Sequence, residues 1–389
     1  MTDVVIVADD LTGAADSAAL LTRRGATAVV VDPEARWPVD ATTLAIDTDG
    51  RHRDAASAAD RAATAAARAR ELGAEVVKKI DSTLRGHIAS ELRAMREVLT
   101  PGGRRMLMVV APAFPSNGRT TRGGVVHVEG RPLAAHGSDG DVVGLLGRGG
   151  LSARAVARDA LLGDRLIQAH ADGLDAIVVD AENDGDLADV VLATRNTPVP
   201  VLLVGSGGIT RPLAGAPQAS YAVSPPLTGP TLVVVGSHDK VSHRQREQLV
   251  RHGLAHVVLR DPDLTATELL PVLAQGVAVL SPDPTDPVEP TRSTEVAFRL
   301  AETVVAVLPE VGTLVATGGQ TARAILVAAD VTRYPVTGEV EPGIVRGRLP
   351  ELGIDLITKG GGFGDPDALL RCLPASTHSA SSRERGTTR

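Results

Sequence analysis

The chain reads as an α/β protein of two domains, each with a mostly parallel sheet covered by helices. Three observations predict this. Short apolar runs alternate with helical patterns along the whole sequence, which is the order strand, helix, strand of parallel sheets. Most of those runs stop abruptly at a turn of Gly, Ser, Thr or Asp, as buried parallel strands do. The length of 389 residues exceeds what one core usually serves, and Pro225, Pro226, Gly229 and Pro230 interrupt the pattern near its middle. We therefore expect domains over residues 1–225 and 226–375, with 376–389 as a disordered tail rich in Ser, Thr and Arg.

The first apolar run, 4–8, ends in Asp9-Asp10 and is followed by an alanine-rich helical pattern to about Thr22. Two adjacent carboxylates at the carboxyl end of a first strand can hold a hydroxyl, a cation or a proton in transit, and Asp10 also suits a helix N-cap. Strands are predicted at 27–31 and 44–47, the latter leading into a loop that carries Arg51, whose planar fork suits a carboxylate. A helix over 54–72 follows, packed by its alanine face.

The most chemically dense stretch is Lys78-Lys79-Ile80-Asp81-Ser82-Thr83-Leu84-Arg85-Gly86. It lies between the end of a strand at 75–78 and a helix over 87–98, a turn where open α/β sheets hold ligands. Ser82 or Thr83 is expected to cap that helix, and its free N–H groups favour an anion. A strand at 106–111 then gives way to an irregular, ordered loop over 112–121, and 125–128 with 131–133 suggest a hairpin around Glu129-Gly130. From 153 to 194 the reading is helix, strand at 176–180 and helix again. A last strand at 199–204 ends in Gly205-Ser206-Gly207-Gly208.

The second half restarts the same pattern. A strand at 231–235 ends in Gly236-Ser237-His238-Asp239-Lys240 and opens a helix from about Ser242. Strands at 256–259, 277–280 and 313–316 follow, the last running through Thr317-Gly318-Gly319-Gln320-Thr321 into a helix over 322–329. Beyond the glycine-bearing stretch 338–343, a strand at 354–358 ends in Lys359-Gly360-Gly361-Gly362-Phe363-Gly364. Glycine turns at the ends of parallel strands make the outline of a phosphate cradle, because glycine lets backbone N–H groups approach a polyphosphate. Neither G-x-x-x-x-G-K-[ST] nor G-x-G-x-x-G opens either half, so ordinary P-loop and dinucleotide folds lose ground.

Composition narrows the partners. A net charge of −7 with three Phe, two Tyr and one Trp argues against nucleic acid, which needs a basic surface and stacking platforms. No basic leader and no apolar run of spanning length occur, which predicts no membrane and a cytoplasmic setting. The single cysteine, Cys372, fits a reducing compartment and reads as a small half-buried apolar residue. Among 40 basic residues only Lys78, Lys79, Lys240 and Lys359 are lysine, all near predicted strand ends, where a compact ammonium can meet phosphate or carboxylate. No metal-ligating cluster stands out.

Seven blocks in this order, Ala8 through Asp16, Lys78 through Gly86, Pro112 through Thr121, Gly236-Ser237, Thr317 through Thr321, Gly338 through Gly343 and Lys359 through Gly364, resemble the four-carbon acid sugar kinases. The resemblance covers nearly the whole chain. It implies an N-terminal domain that binds a sugar acid (threonate, erythronate or 3-oxo-tetronate) and a C-terminal domain that binds ATP with Mg2+. Carried over by motif, Asp10, Arg51, Lys79, Asp81 and Ser82 are substrate residues, with Asp10 or Asp81 taking the proton of the attacking hydroxyl. Ser237, Gly318, Gly319 and the loop of Lys359, Gly360, Gly361, Gly362, Phe363 and Gly364 are nucleotide residues. Gln320 stands where the family often carries Glu, and His238-Asp239-Lys240 where it often carries small or polar residues. An NAD-dependent sugar-acid oxidoreductase and a non-catalytic sugar-acid sensor are the alternatives, and oligomeric state is left open, a homo-oligomer included.

Overall fold

The computed structural model describes residues 2–100, 102, 105–135, 137–215, 227, 229–283 and 292–374. The chain divides into two compact units, Met1–Tyr221 and Ala222–Arg389. Most of the expected linker at 221–230 and the expected tail from Ser376 lie outside the described residues.

In the first unit, eight strands run parallel. They are β1 (Val4–Ala8), β2 (Thr27–Val30), β3 (Thr43–Asp47), β4 (Glu75–Lys79), β5 (Leu107–Ala111), β9 (Ala153–Val156), β10 (Ala176–Val179) and β11 (Val201–Gly205), in the spatial order β2-β3-β1-β4-β11-β5-β10-β9. A separate antiparallel meander joins β6 (Arg119–Arg122), β7 (Val125–Val128) and β8 (Arg131–Pro132). The central strands β1, β5 and β10 are apolar on both faces and buried throughout. Each fully buried Val or Ile there stabilises the sheet by roughly 1.5–3 kcal/mol.

Helix α1 (Leu11–Leu21) follows β1, α2 (Ala55–Glu71) follows β3 and α3 (Ile88–Leu99) follows β4. In α2, Ala58, Ala62, Ala65, Ala66 and Ala69 form the buried stripe and Asp54 caps the start by accepting from the Ala56 and Ser57 N–H groups at 3.0 and 2.9 Å. Alanine carries the lowest helix cost and lets α2 lie close to α3. Further along come α4 (Val142–Arg148), α5 (Leu162–Ala171), α6 (Asp184–Asn196) and α7 (Gly207–Ala214).

The second unit holds β12 (Thr231–Val235), β13 (Ala255–Val258), β14 (Val277–Ser281), β15 (Thr313–Thr317), β16 (Arg333–Glu341), β17 (Ile344–Leu349) and β18 (Ile354–Lys359), ordered β13-β14-β12-β15-β18-β17-β16. The first five of that order are parallel and β17 and β16 are antiparallel additions. Its helices are α8 (Lys240–Arg251), α9 (Pro262–Leu273), α10 (Ser293–Val307) and α11 (Gly319–Ala328). Val233, Val279, Val315, Ile357 and Cys372 lie in one apolar core. There burial pushes the Cys372 thiol up to about 12, which makes it an inert apolar residue.

Two expectations about elements need correction. Residues 153–156 form edge strand β9 and not a helix; its sequence Ala-Arg-Ala-Val is too short to carry a period. The glycine-bearing stretch 338–343, to which the sequence assigns no element, belongs to β16 up to Glu341, with the reversal at Pro342-Gly343. Neither Ser82 nor Thr83 caps α3, because that helix begins only at Ile88 and its N-cap position, His87, makes no side-chain capping bond.

Candidate active site

In the first unit the carboxyl ends of β1, β3 and β4 lie side by side, since Ala8 pairs with Asp47 on one side and Lys79 on the other. The segments that leave these strands therefore meet: Asp9-Asp10, the short turn Gly50–His52 with Arg51, and Lys79 to Gly86. On the far side of β4, Gly205 pairs with Lys79 and brings the start of α7 to the same edge.

Arg51 is the centre of this meeting. Its Nε and one terminal nitrogen donate to the two oxygens of Asp9 at 3.0 Å each, and its terminal nitrogens donate to both oxygens of Asp10 at 3.0 Å each. Asp81 Oδ1 stands 3.6 Å away. A guanidinium has five N–H donors, so the protein's own carboxylates occupy four of them. The fork that the sequence offers to a substrate carboxylate is thus engaged within the fold. Burial lowers the Arg51 pKa, but Asp10, Asp9 and Asp81 outweigh it and hold the group well above its ordinary value.

Asp10 caps α1, accepting from Gly13 N–H at 3.0 Å and Thr12 Oγ1 at 2.7 Å. The cap reading of Asp10 therefore holds, and the same carboxylate also faces Arg51 at the strand edge. Burial raises its pKa, and Arg51, Lys79 and the Thr12 hydroxyl overcome that, so the carboxyl titrates below the usual range. Asp81 is held harder still. It accepts from Thr83 N–H at 3.1 Å, Arg85 N–H at 3.3 Å, Arg85 Nε at 2.9 Å, an Arg85 terminal nitrogen at 2.8 Å and the Thr83 hydroxyl. Burial works against its ionisation, yet Arg51 and Arg85 keep it ionised well below the ordinary carboxylate pKa. Ser82 Oγ accepts from Arg119 at the start of β6, a partner that sequence spacing does not reveal.

The four lysines part company. Lys78 is fully buried in an ion pair with Glu91 of α3 and takes no part in the edge. Lys79 Nζ donates to Ile80 O at 3.1 Å, and among the described residues its other two donors have no partner. A Cβ on Gly13 would stand 3.0 Å from that ammonium and 2.6 Å from Asp10 Oδ1, so glycine at 13 opens the space they share. Asp16, one and a half turns along α1, stands near the same edge, and the sequence singles it out only as part of a block. Burial pushes its carboxyl up to about 6, against the pull of Lys79, and its Oδ2 lies 2.5 Å from where a Gly207 Cβ would be.

In the second unit β12, β15 and β18 are neighbours in register, Val235 against Thr317 and Thr317 against Lys359. Their three glycine turns consequently pack on one another. A Cβ on Gly236 would overlap Thr321, one on Gly361 would overlap Ser237 and one on Gly318 would stand 3.2 Å from Ser237 Cβ. Gly318 has φ +92° and donates its N–H to Lys359 O at 2.8 Å. Phe363 packs its ring over Gly343 and Gly360. Asp239 caps α8 through Val241 N–H at 2.8 Å, so α8 starts at Lys240, and Gln320 donates to Thr294 Oγ1 at 2.7 Å. Lys359 points away from solvent, into its own loop.

An α/β unit with a charged strand edge is thus followed by one with a glycine-lined edge, which accords with a small charged ligand for the first and a polyphosphate for the second. The comparisons with known proteins agree. Residues 4–213 match the family described as a sugar-binding N-terminal domain, and residues 232–369 the one described as a nucleotide-binding C-terminal domain. The chain is 35% identical to a D-threonate kinase of Cupriavidus necator, over 96% of this chain and 98% of that one. It is 28% identical to a D-erythronate kinase of Heliobacterium modesticaldum (96% and 97%) and 30% identical to a 3-oxo-tetronate kinase of Cupriavidus necator (93% and 94%). A solved structure from Salmonella typhimurium LT2 shares the fold with a TM-score of 0.78 at 21% identity, covering 96% of this chain and 99% of that one. This protein belongs to the four-carbon acid sugar kinase family, and it is a kinase rather than an oxidoreductase. No helix among the described residues is long and apolar enough to cross a membrane.

Proposed function

We propose that this kinase transfers the γ-phosphoryl group of ATP, bound with Mg2+, to the terminal hydroxyl of a four-carbon sugar acid, with D-threonate as the first candidate. The observation that carries the reading is the pairing of Lys79, which has two uncommitted donors, with Asp10, an ionised carboxylate beside it. Relatives at 35%, 32% and 30% identity bearing the name D-threonate kinase support the choice of acid.

Lys79 takes the substrate carboxylate, and the remaining N–H of Arg51 adds a second contact. Asp10 accepts a hydrogen bond from the attacking hydroxyl. As its oxygen bonds to the γ-phosphorus, the bond from phosphorus to the β,γ-bridging oxygen breaks, ADP leaves and the hydroxyl proton passes to Asp10 and then to water. Asp10 is preferred to Asp81 as the acceptor because it stands beside Lys79. It receives four hydrogen bonds from Arg51, Gly13 and Thr12 against the five of Asp81, so the substrate hydroxyl takes the place of one of them, that of the Thr12 hydroxyl. Asp81 and Ser82 shape the wall beside the acid. A depressed carboxylate pKa is no obstacle, since phosphoryl transfer depends mainly on alignment and charge neutralisation. Ser237, Gly318, Gly319 and the Gly360 to Gly364 loop hold the nucleotide, and Mg2+ bound with it would offset the charge of its phosphates. Dependence on ATP and an inert, buried Cys372 favour a cytoplasmic setting.

The test is an ADP-release assay with D-threonate, D-erythronate and 3-oxo-tetronate. We expect ADP in stoichiometric yield with at least one of the three, D-threonate giving the highest kcat/KM. Release no faster with any acid than with buffer alone refutes the assignment.

A further inference from the structure

Lys359 is fully buried, yet the groups around its ammonium are neutral oxygens. Nζ donates to the carbonyls of Gly360 at 2.8 Å, Gly361 at 3.1 Å and Phe363 at 3.0 Å, and Ser242 Oγ lies at 3.4 Å. An ammonium has three donors, so three carbonyls of the following loop consume it. Helix α8 strengthens the same clamp: Ser242 Oγ donates to Gly361 O at 2.8 Å, and Gln245 Nε2 donates to Phe363 O at 3.0 Å and Asp365 O at 2.8 Å.

The peptide geometry turns this clamp into a statement about the opposite side of the loop. None of the described peptide bonds is cis, and in a trans peptide the C=O and N–H point in opposite directions. Drawing the carbonyls of Gly360, Gly361 and Phe363 onto Lys359 therefore turns the N–H groups of Gly361, Gly362 and Gly364 away from it. None of those three N–H groups makes a hydrogen bond among the described residues. The loop next to the Ser237 and Gly318 turns thus presents a row of unpaired donors, while the cation that organises it stays behind.

We infer that Lys359 is a positioning residue for the phosphates of a nucleoside triphosphate: it touches none of them, but holds its loop so that the Gly361, Gly362 and Gly364 N–H groups bind the phosphate oxygens. This rests on the reading of the second unit as the nucleotide unit and deepens it, because it moves Lys359 from the phosphates to the backbone beneath them. The positive charge still acts through the loop. Burial brings the Lys359 pKa down to about 8, against the opposing pull of Asp239 at the α8 N-cap, Cys372 and Glu341 of β16. Above that pH a neutral amine keeps only two donors for three carbonyls, and the charge under the loop is lost. A bound triphosphate favours the protonated form, so triphosphate affinity falls as pH rises through about 8.

The experiment is calorimetric titration of the full chain with β,γ-imido-ATP and with AMP, each with Mg2+, from pH 7 to 9.5, for wild type and Lys359→Met. For wild type we expect the Kd of the triphosphate analogue to rise several-fold across that range and that of AMP to stay flat. Lys359→Met should bind the triphosphate about tenfold more weakly at pH 7, lose the pH dependence and leave the AMP affinity within twofold. Triphosphate binding by folded Lys359→Met equal to wild type, or equal losses for AMP and triphosphate, would overturn the positioning role. Should Lys359→Met fail to fold, the wild-type profile decides alone, and a flat triphosphate Kd overturns the inference. Wild type that binds neither nucleotide at any pH would instead strike down the nucleotide reading of this unit.

Discussion

Arg51 bears on the site through what it already holds. Asp9 and Asp10 are buried side by side, and the guanidinium between them pairs with both through four hydrogen bonds of 3.0 Å, one positive charge shared by two carboxylates. Removing one partner of a buried ionic group leaves uncompensated charge, at a cost of about 3–5 kcal/mol. Arg51→Ala is therefore expected to lower the melting temperature by several degrees and kcat/KM for the acid by more than 100-fold, with little change in KM for ATP. Thermal melts and steady-state kinetics check this. A normal melting temperature together with a rise in KM for the acid and an unchanged kcat would show that Arg51 only grips substrate. Residue types at strand ends point to Asp10, Arg51, Lys79 and Asp81 one at a time, the family resemblance groups them, and the structure brings all four to one strand edge. Residue types do not reveal which charges satisfy one another, since Arg51 and Asp9 are 42 positions apart and spacing within a loop carries no information about contacts across a sheet. Ser82 meeting Arg119, 37 positions away, escapes the sequence for the same reason.

At the level of elements, the parallel strands are legible because a strand covered on both faces must be apolar throughout, and a glycine or aspartate marks its end. Edge strand β9 and the antiparallel β16 lack that signature: β9 alternates half-buried and exposed positions before Val156, and β16 carries Gly338 within the strand. The glycine turns make a sharper test of function than the strands. Gly364 has φ +81°, and a Cβ there would come within 2.6 Å of Ala368 Cβ. Gly353, in the turn between β17 and β18, has φ +70° with nothing within 4 Å of its Cβ position. Each alanine carries a backbone cost of about 1–2 kcal/mol, and only the first forces its loop to move. Gly364→Ala should thus raise KM for ATP about tenfold while Gly353→Ala leaves it unchanged, with similar melting temperatures for the two. Equal KM values for both variants would separate the 360–364 loop from nucleotide binding.

For the whole molecule, the same construction occurs twice with opposite chemistry. In the first unit the carboxyl edge of β1, β3 and β4 carries Asp9, Asp10, Arg51, Lys79 and Asp81, an arrangement of full charges that suits a small polar acid with hydroxyls. In the second, the edge of β12, β15 and β18 carries glycine turns that offer backbone groups in place of side-chain charges, which suits a larger polyphosphate. If each edge serves its own ligand, then each ligand slows amide exchange first where its own edge is built. Hydrogen exchange of the full chain, read by mass spectrometry, should show D-threonate protecting peptides over 9–14, 48–53 and 79–87. A non-hydrolysable ATP analogue should protect those over 236–242, 317–322 and 359–365. Binding of either ligand at 100 times its Kd adds about 2.7 kcal/mol to the stability of the state that binds it, well within the range that exchange rates resolve. Protection by the acid confined to the second unit, or by the nucleotide confined to the first, would reverse the assignment of the two edges.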